Sequence, residues 1–400
     1  MSLAVVGDLM QVDVHNTLSS FDFEPKTRMV FEVGGLSRLG ELAREFGTRV
    51  LVVSDKGIVA AGHTPRGIAA LEEAGLQVAL FDGAQENPTT ENVESGLQVA
   101  REFSPDLIVG LGGGSSMDCA KGINFLLSCG GAMKDYWGVG KATADLLPMI
   151  AVPTTAGTGS EMQSFALISD AETHVKMACG DKRAACKIAI LDPELTLTQP
   201  ANVTALTGVD AISHALETFV TTKRNPISGF FSKESWKLLA LNFKAVLADP
   251  NNLEARGAMQ LGAAFAGLAI ENSMLGASHA LANPLTAEYD TPHGQAVGLM
   301  LPHVIRFNGE QYGNLYSELL SQVKPVNLEP DHQHQNCNDL ADLVQELVAA
   351  AGLVTKLSEL QVDSAVLDRL AADASKQWTG NFNPRPVDVE SLLSLYQQAF

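Results

Sequence analysis

Short runs of aliphatic and β-branched residues alternate with amphipathic stretches through the first half of the chain. Residues 49–54 (RVLVVS), 76–81 (LQVALF) and 106–111 (DLIVGL) read as strands. They are near-continuously apolar, as strands of a parallel sheet covered on both faces must be. Residues 65–74 and 90–103 repeat apolar positions at helical spacing, and 147–152 and 187–191 (KIAIL) add two more strands. This β-α-β alternation predicts a mostly parallel sheet covered by helices. After Asp192-Pro193 the pattern changes to long helical segments rich in Ala and Leu, with few strand-like runs. The expected organisation is an α/β domain over residues 1–197 followed by an all-helical domain over 198–400, with the boundary near 195–199. Residues 1–25 are weakly patterned and read as a surface extension.

Composition narrows the field. A chain of 400 residues has room for two domains at ~150 residues each. A formal net charge of −19 argues against nucleic-acid or anionic-membrane partners, whose phosphates would be repelled. The five cysteines show no CxxC spacing, as in a reduced cytoplasmic protein without a disulfide framework. The N-terminus lacks the basic start of a signal peptide, and no apolar run approaches the ~20 residues of a membrane span.

Two glycine-rich turns follow strands. In DLIVGLGGGSSMDCAKG a strand runs through three glycines and two serines into a helix. Glycines let the backbone approach a pyrophosphate, and the N–H groups opening the helix offer donors. It is not a Rossmann fingerprint, because Ser115 stands where the third glycine belongs. In PTTAGTGSE, hydroxyls at Thr154, Thr155, Thr158 and Ser160 could serve phosphate or ribose. Two such loops on one sheet point to a dinucleotide crevice. Asp55, ending its strand, could accept from a ribose 2′-hydroxyl or cap the next helix.

A second constellation lies further on. In GVDAISHALE, Asp210 and His214 are four apart and share one helix face. GASHALANPLTAEYDTPHG adds His279 and His293 among small apolar residues. An imidazole buried there needs a partner, and a metal ion is one. The other six histidines read as ordinary core or surface residues; His332 and His334, in a polar segment, read as solvated.

Taken in order and spacing, these segments resemble the iron-containing (group III) alcohol dehydrogenases. The likeness runs from 27–35 (TRMVFEVGG) through GGGSSMDCAK, PTTAGTGSE, ILDPELT, GVDAISHALE, TPHG and LPHV to NPRPVDVESL. It implies a parallel-sheet dinucleotide-binding domain, an all-helical metal-binding domain and a catalytic cleft between them. It implies a divalent ion, Fe(II) or Zn(II), on Asp210, His214, His279 and His293. It also implies NAD, with NADP as an alternative, against Asp55, Asn87, Gly113, Gly114, Ser115, Asp118, Thr154, Thr155, Thr158 and Lys187. The reaction implied is hydride transfer between NAD(H) and an alcohol, aldehyde or ketone. The strand at 27–32 resembles an edge that pairs subunits, so a homodimer or larger homo-oligomer is expected.

One departure stands out. The family commonly carries HxxxHPxG, whereas this chain has His279, Asn283 and Thr286 at the corresponding positions. An amide does not exchange protons as imidazole does, so a proton relay would run through water or cofactor hydroxyls. If Glu271 or Asn283 faces the cleft, a substrate bearing extra hydroxyls, such as a polyol or sugar derivative, is expected. If both face neighbouring helices, the pocket is an ordinary apolar one. A dehydroquinate-synthase-type lyase shares the plan, but IENSMLGASHALANP lacks the cations a substrate phosphate needs. A binding protein that has lost turnover would not require all four ligands.

Overall fold

The computed structural model describes residues 20–173 and 175–400; most of the expected N-terminal extension, and His15 and His174, lie outside them. In chain order come β1 (Arg28–Phe31), α1 (Leu39–Ala43), β2 (Arg49–Val53), α2 (Lys56–Ala60), α3 (His63–Glu73), β3 (Gln77–Phe81), α4 (Thr90–Phe103) and β4 (Leu107–Gly112). Then follow α5 (Gly114–Cys129), β5 (Gly138–Val139), β6 (Met149–Pro153), β7 (Phe165–Ser169), β8 (Lys176–Gly180) and β9 (Ile188–Leu191). The remainder is helical: α6 (Ala201–Val220), α7 (Pro226–Ala248), α8 (Leu253–Glu271), α9 (Ala277–Tyr289), α10 (His293–Ser321), α11 (Gln333–Ala350), α12 (Leu367–Ala374) and α13 (Val389–Gln398).

Six strands form a parallel sheet in the order β1-β9-β6-β4-β2-β3. Leu107 to Gly112 is buried at every position, which explains the unbroken apolar runs. From β2 the chain moves outward to β3, then returns to β4 on the other side of β2 and proceeds to β6. The reversal places a switch point at the carboxyl ends of β2 and β4, where ligands of open α/β sheets bind.

The sequence reading omits the second sheet, β5-β8-β7. Its strands are short, and β7 alternates half-buried with buried and exposed positions, so no apolar run marks it. Among the described residues no strand follows Leu191. The segment containing His332 and His334 opens α11, and both histidines are exposed as expected.

Helix α8 holds the helical part against the sheet. Gln260 Nε2 donates to the Pro153 carbonyl at 3.1 Å, and Glu271 accepts from Ser164 N and Oγ at 2.9 and 2.7 Å. Between them, a Cβ on Gly267 would lie 2.4 Å from the Gly159 carbonyl, so glycine alone allows this backbone approach.

Candidate metal centre and cofactor crevice

At the sheet's switch point the two glycine-rich turns lie side by side. Gly112 pairs with Pro153 in register, and Thr154 N donates to the Gly112 carbonyl at 2.9 Å. Gly112 has φ 155°, and a Cβ there would lie 2.4 Å from Ser116 Oγ. A Cβ on Gly114 would lie 2.5 Å from Thr158 Oγ1, and one on Gly113 3.4 Å from Thr155 Cγ2. The absence of side chains thus lets the second loop close over the first. Helix α5 begins here on Gly113, which offers no capping side chain, so its leading N–H groups open onto the crevice. The buried Thr154 Oγ1 has no hydrogen-bond partner, as a hydroxyl reserved for a ligand would not.

Asp55 is a helix cap, one of its two readings, and it also takes a hydrogen bond from the glycine-loop helix. Its Oδ1 caps α2 by accepting from Ile58 N at 3.0 Å, and its Oδ2 accepts from Ser116 Oγ at 3.1 Å. The crevice therefore gathers Asp55, Gly113, Gly114, Ser115, Thr154, Thr155 and Thr158. Asp118 lies behind it, buried, accepting from Ser160 Oγ at 2.6 Å; burial raises its pKa against the pull of Lys121. Lys121 is likewise internal: its Nζ donates to the carbonyls of Ser160, Gln163 and Phe165 and to Ser160 Oγ.

Lys187 is not brought to the crevice. It precedes β9, with its N–H on Met149 at the start of β6, and so lies at the opposite end of the sheet from Gly112 and Thr154. The lysine at the cleft is Lys176, which the sequence reading misses. Its Nζ lies 3.2 Å from Asn87 Oδ1, and its ammonium is within electrostatic reach of Asp118, Asp210 and Glu86. Asn87 adopts a left-handed φ of 50° immediately before Pro88, a turn that sets its amide toward Lys176.

The second cluster is built on three helices. Asp210 and His214 stand on α6, His279 in the first turn of α9, and His293 at the start of α10. From Asp210 Oδ1 the distances are 3.4 Å to His214 Nε2, 3.7 Å to His279 Nε2 and 3.8 Å to His293 Nε2. Ligand atoms of Asp210, His279 and His293 lie mutually within 4.8 Å; His214 is outside that set, though its ring stacks 5.0 Å from that of His279. Asp210 Oδ1 and His279 Nε2 are buried without hydrogen-bond partners. Burial opposes charge on Asp210, yet His214, His279 and His293 hold its carboxyl well below the usual range. Burial also lowers the His214 pKa, which favours the neutral imidazole a ligand needs. Burial would lower His279 as well, but Glu217 and Asp210 outweigh it and raise it to about 9. A carboxylate oxygen with no donor, faced by three ring nitrogens, fits a cation.

Neither residue singled out for extra substrate hydroxyls is free. The Glu271 carboxylate is taken by Ser164, and Asn283 Nδ2 donates to Gln377 Oε1 at 2.9 Å. Both hold neighbouring segments, Glu271 the stretch before β7 and Asn283 the turn at Gln377.

Comparison with known proteins identifies the family. The family "Iron-containing alcohol dehydrogenase" matches residues 25–193, and "Fe-containing alcohol dehydrogenase family, C-terminal" matches 204–400. The 1,3-propanediol dehydrogenase of Klebsiella pneumoniae is 34% identical over 95% of this chain and 99% of its own. The NAD-dependent methanol dehydrogenase of Bacillus methanolicus is 31% identical over 92% and 96%. A crystal structure of 1,3-propanediol oxidoreductase superposes with TM-score 0.92 at 33% identity, covering 96% of this chain and all of that one. The chain belongs to the iron-containing alcohol dehydrogenase family. It is an NAD-dependent oxidoreductase of alcohols and aldehydes, which sets aside the lyase and the inactive binding protein.

Proposed function

We propose that Asp210, His214, His279 and His293 hold a divalent ion, iron(II) in keeping with the family, beside NAD in the glycine-lined crevice. The observation that carries this reading is the partnerless Asp210 Oδ1 facing three imidazole Nε2 atoms at 3.4 to 3.8 Å. Zn(II) suits the same three imidazoles and carboxylate. Such an ion supplies Lewis-acid polarisation of an alcohol or carbonyl oxygen, and the nicotinamide supplies the hydride acceptor.

The chain's own residues do the rest. Gly113, Gly114 and Ser115 present backbone N–H groups to the pyrophosphate, Thr154, Thr155 and Thr158 flank it, and Asp55 takes the adenosine ribose. Asn87 and Lys176 stand together, with the Lys176 ammonium within electrostatic reach of Asp210 and His293. The substrate is a primary or secondary alcohol or its carbonyl counterpart. Asn283 cannot exchange a proton, so the proton leaves through water or cofactor hydroxyls.

His279→Ala should lose most bound metal and all turnover while the sheet stays folded. Elemental analysis showing equal metal in mutant and parent would sink the assignment. The strand β1 forms one edge of the sheet, and pairing of two such edges accounts for a homodimer. Light scattering at micromolar concentration should give at least twice the chain mass of 42.4 kDa; a monomer refutes the pairing. Among the described residues no helix is long and apolar enough to cross a membrane.

A further inference from the structure

The candidate metal centre uses one edge of the His279 ring; Glu217 occupies the other. Glu217 follows Asp210 by seven residues on α6, so it shares a face with both Asp210 and His214. It is 3% exposed. Its Oε2 lies 2.5 Å from His279 Nδ1, and its Oε1 accepts from Ser278 N at 2.6 Å. The same carboxylate reaches the Gly276 N–H.

These contacts fall where α9 begins. Gly276 has no side chain to cap the helix, and Glu217 does so from another helix. A Cβ on Gly276 would lie 3.1 Å from both Glu217 Oε1 and Asn383 Oδ1, so glycine leaves the space the carboxylate fills. Asn383 braces the same turn, its Oδ1 accepting from Ala277 N at 3.3 Å and from Asn308 Nδ2 at 3.0 Å. The helix that carries His279 is thereby seated before any ligand arrives.

We infer that Glu217 is a positioning residue that sets the metal affinity of the centre through the tautomer and orientation of His279. The inference rests on the metal reading given above. A carboxylate can only accept, so His279 Nδ1 must donate to it. In the neutral ring that a metal requires, the single proton then sits on Nδ1, and Nε2 turns its lone pair to the space before Asp210 Oδ1, 3.7 Å away and without a hydrogen-bond partner. Histidine ligands are generally held in this way by a carboxylate behind the ring. The two buried acids of α6 thus divide the work: Asp210 faces the ion, and Glu217 faces the ligand.

Glu217→Gln tests this. An amide has one acceptor and one donor. The backbone N–H groups opening α9 claim the acceptor, so the amide NH2 turns toward His279 Nδ1. The imidazole proton is then favoured on Nε2, the atom that must stay bare. Chelator competition with Co(II) should show affinity weaker by about 10–100-fold. NAD affinity and the urea unfolding of the metal-free protein should stay close to the parent's, which a purely structural role would not allow. Glu217→Asp keeps the charge but falls one methylene short, and should give a smaller loss. A folded variant of either kind that binds Co(II) with parental affinity overturns the inference. Failure of both variants to fold also overturns it, reducing Glu217 to a helix cap. A parent that binds no stoichiometric Co(II) is a different outcome, which defeats the metal reading itself.

Discussion

Lys121 lies in the glycine-loop motif, where a cation invites assignment to the pyrophosphate, yet the structure turns it away. Its side chain is fully buried, and Nζ meets Ser160 O at 2.7 Å, Gln163 O at 2.8 Å, Phe165 O at 2.9 Å and Ser160 Oγ at 2.9 Å. These tie α5 to the segment that joins the threonine loop to β7. Lys121→Met keeps the aliphatic stem and removes the donors. The carbonyls of Gln163 and Phe165 are then left without a partner, each at about 1–3 kcal/mol, while Ser160 O keeps the Gln163 N–H at 3.2 Å; the loss is offset by no longer burying an ammonium. Asp118 also loses its nearest positive charge. The net loss should be about 3–5 kcal/mol, the usual cost of removing one partner from a buried charged network. That is a large part of the ~5–15 kcal/mol that holds a typical domain. Urea unfolding followed by tryptophan fluorescence measures the loss, and NAD titration below the transition measures the crevice. The expected result is a clearly lower unfolding midpoint with NAD affinity changed only slightly. Unchanged stability with NAD binding lost tenfold or more would make Lys121 a phosphate contact and refute the strut.

Asp55→Gly should relax discrimination against NADP by removing a carboxylate from the 2′-phosphate, and should cost only about 0.3 kcal/mol of stability through the lost cap on α2, because glycine is itself tolerated at a helix N-cap. Equal kcat/KM for NAD and NADP in the parent would contradict the role given to Asp55. Glu161 is 3% exposed, and burial pushes its carboxyl up from 4.5 to about 7, with Asp118 adding to the rise and Lys121 opposing it. Its folded pKa is above its unfolded one, so the stability it contributes is full below about pH 4.5 and is lost as pH rises through 7. Glu161→Gln should abolish that loss, worth at most about 3 kcal/mol by pH 8 at 1.36 kcal/mol per pKa unit. Urea midpoints at pH 5 and pH 8 that fall equally in parent and variant would refute it.

The parallel sheet and the four candidate metal ligands were legible for different reasons. Strands covered on both faces must be apolar throughout, so β2, β4 and β9 announce themselves. The small three-stranded sheet must satisfy no such demand: Leu167 and Val139 are exposed, and the run that would betray a strand never forms. The metal-site residues combine helical spacing with histidines in apolar surroundings, a pairing that ordinary packing has little use for. Glu217 was equally readable, three residues after His214 on the same face, but an acid at the end of a helix motif carries no mark of burial. Only the start of α9, packed against it, shows what it is for.

Strand direction decides where Lys187 lies. In a parallel sheet every strand points the same way, so the ligand-bearing loops all follow their strands. Asp55, Gly113 and Thr154 come after β2, β4 and β6, whereas Lys187 comes before β9. Strand direction alone therefore sets it at the far end. Lys176 likewise stands at the start of its strand, but β8 runs antiparallel to β7 and pairs Lys176 with Ser169. Ser169 N in turn donates to the carbonyl of Pro88, next to Asn87. An antiparallel turn thus returns the start of a strand to the cleft, and a lysine that the parallel rule would reject becomes the one beside the candidate metal ligands.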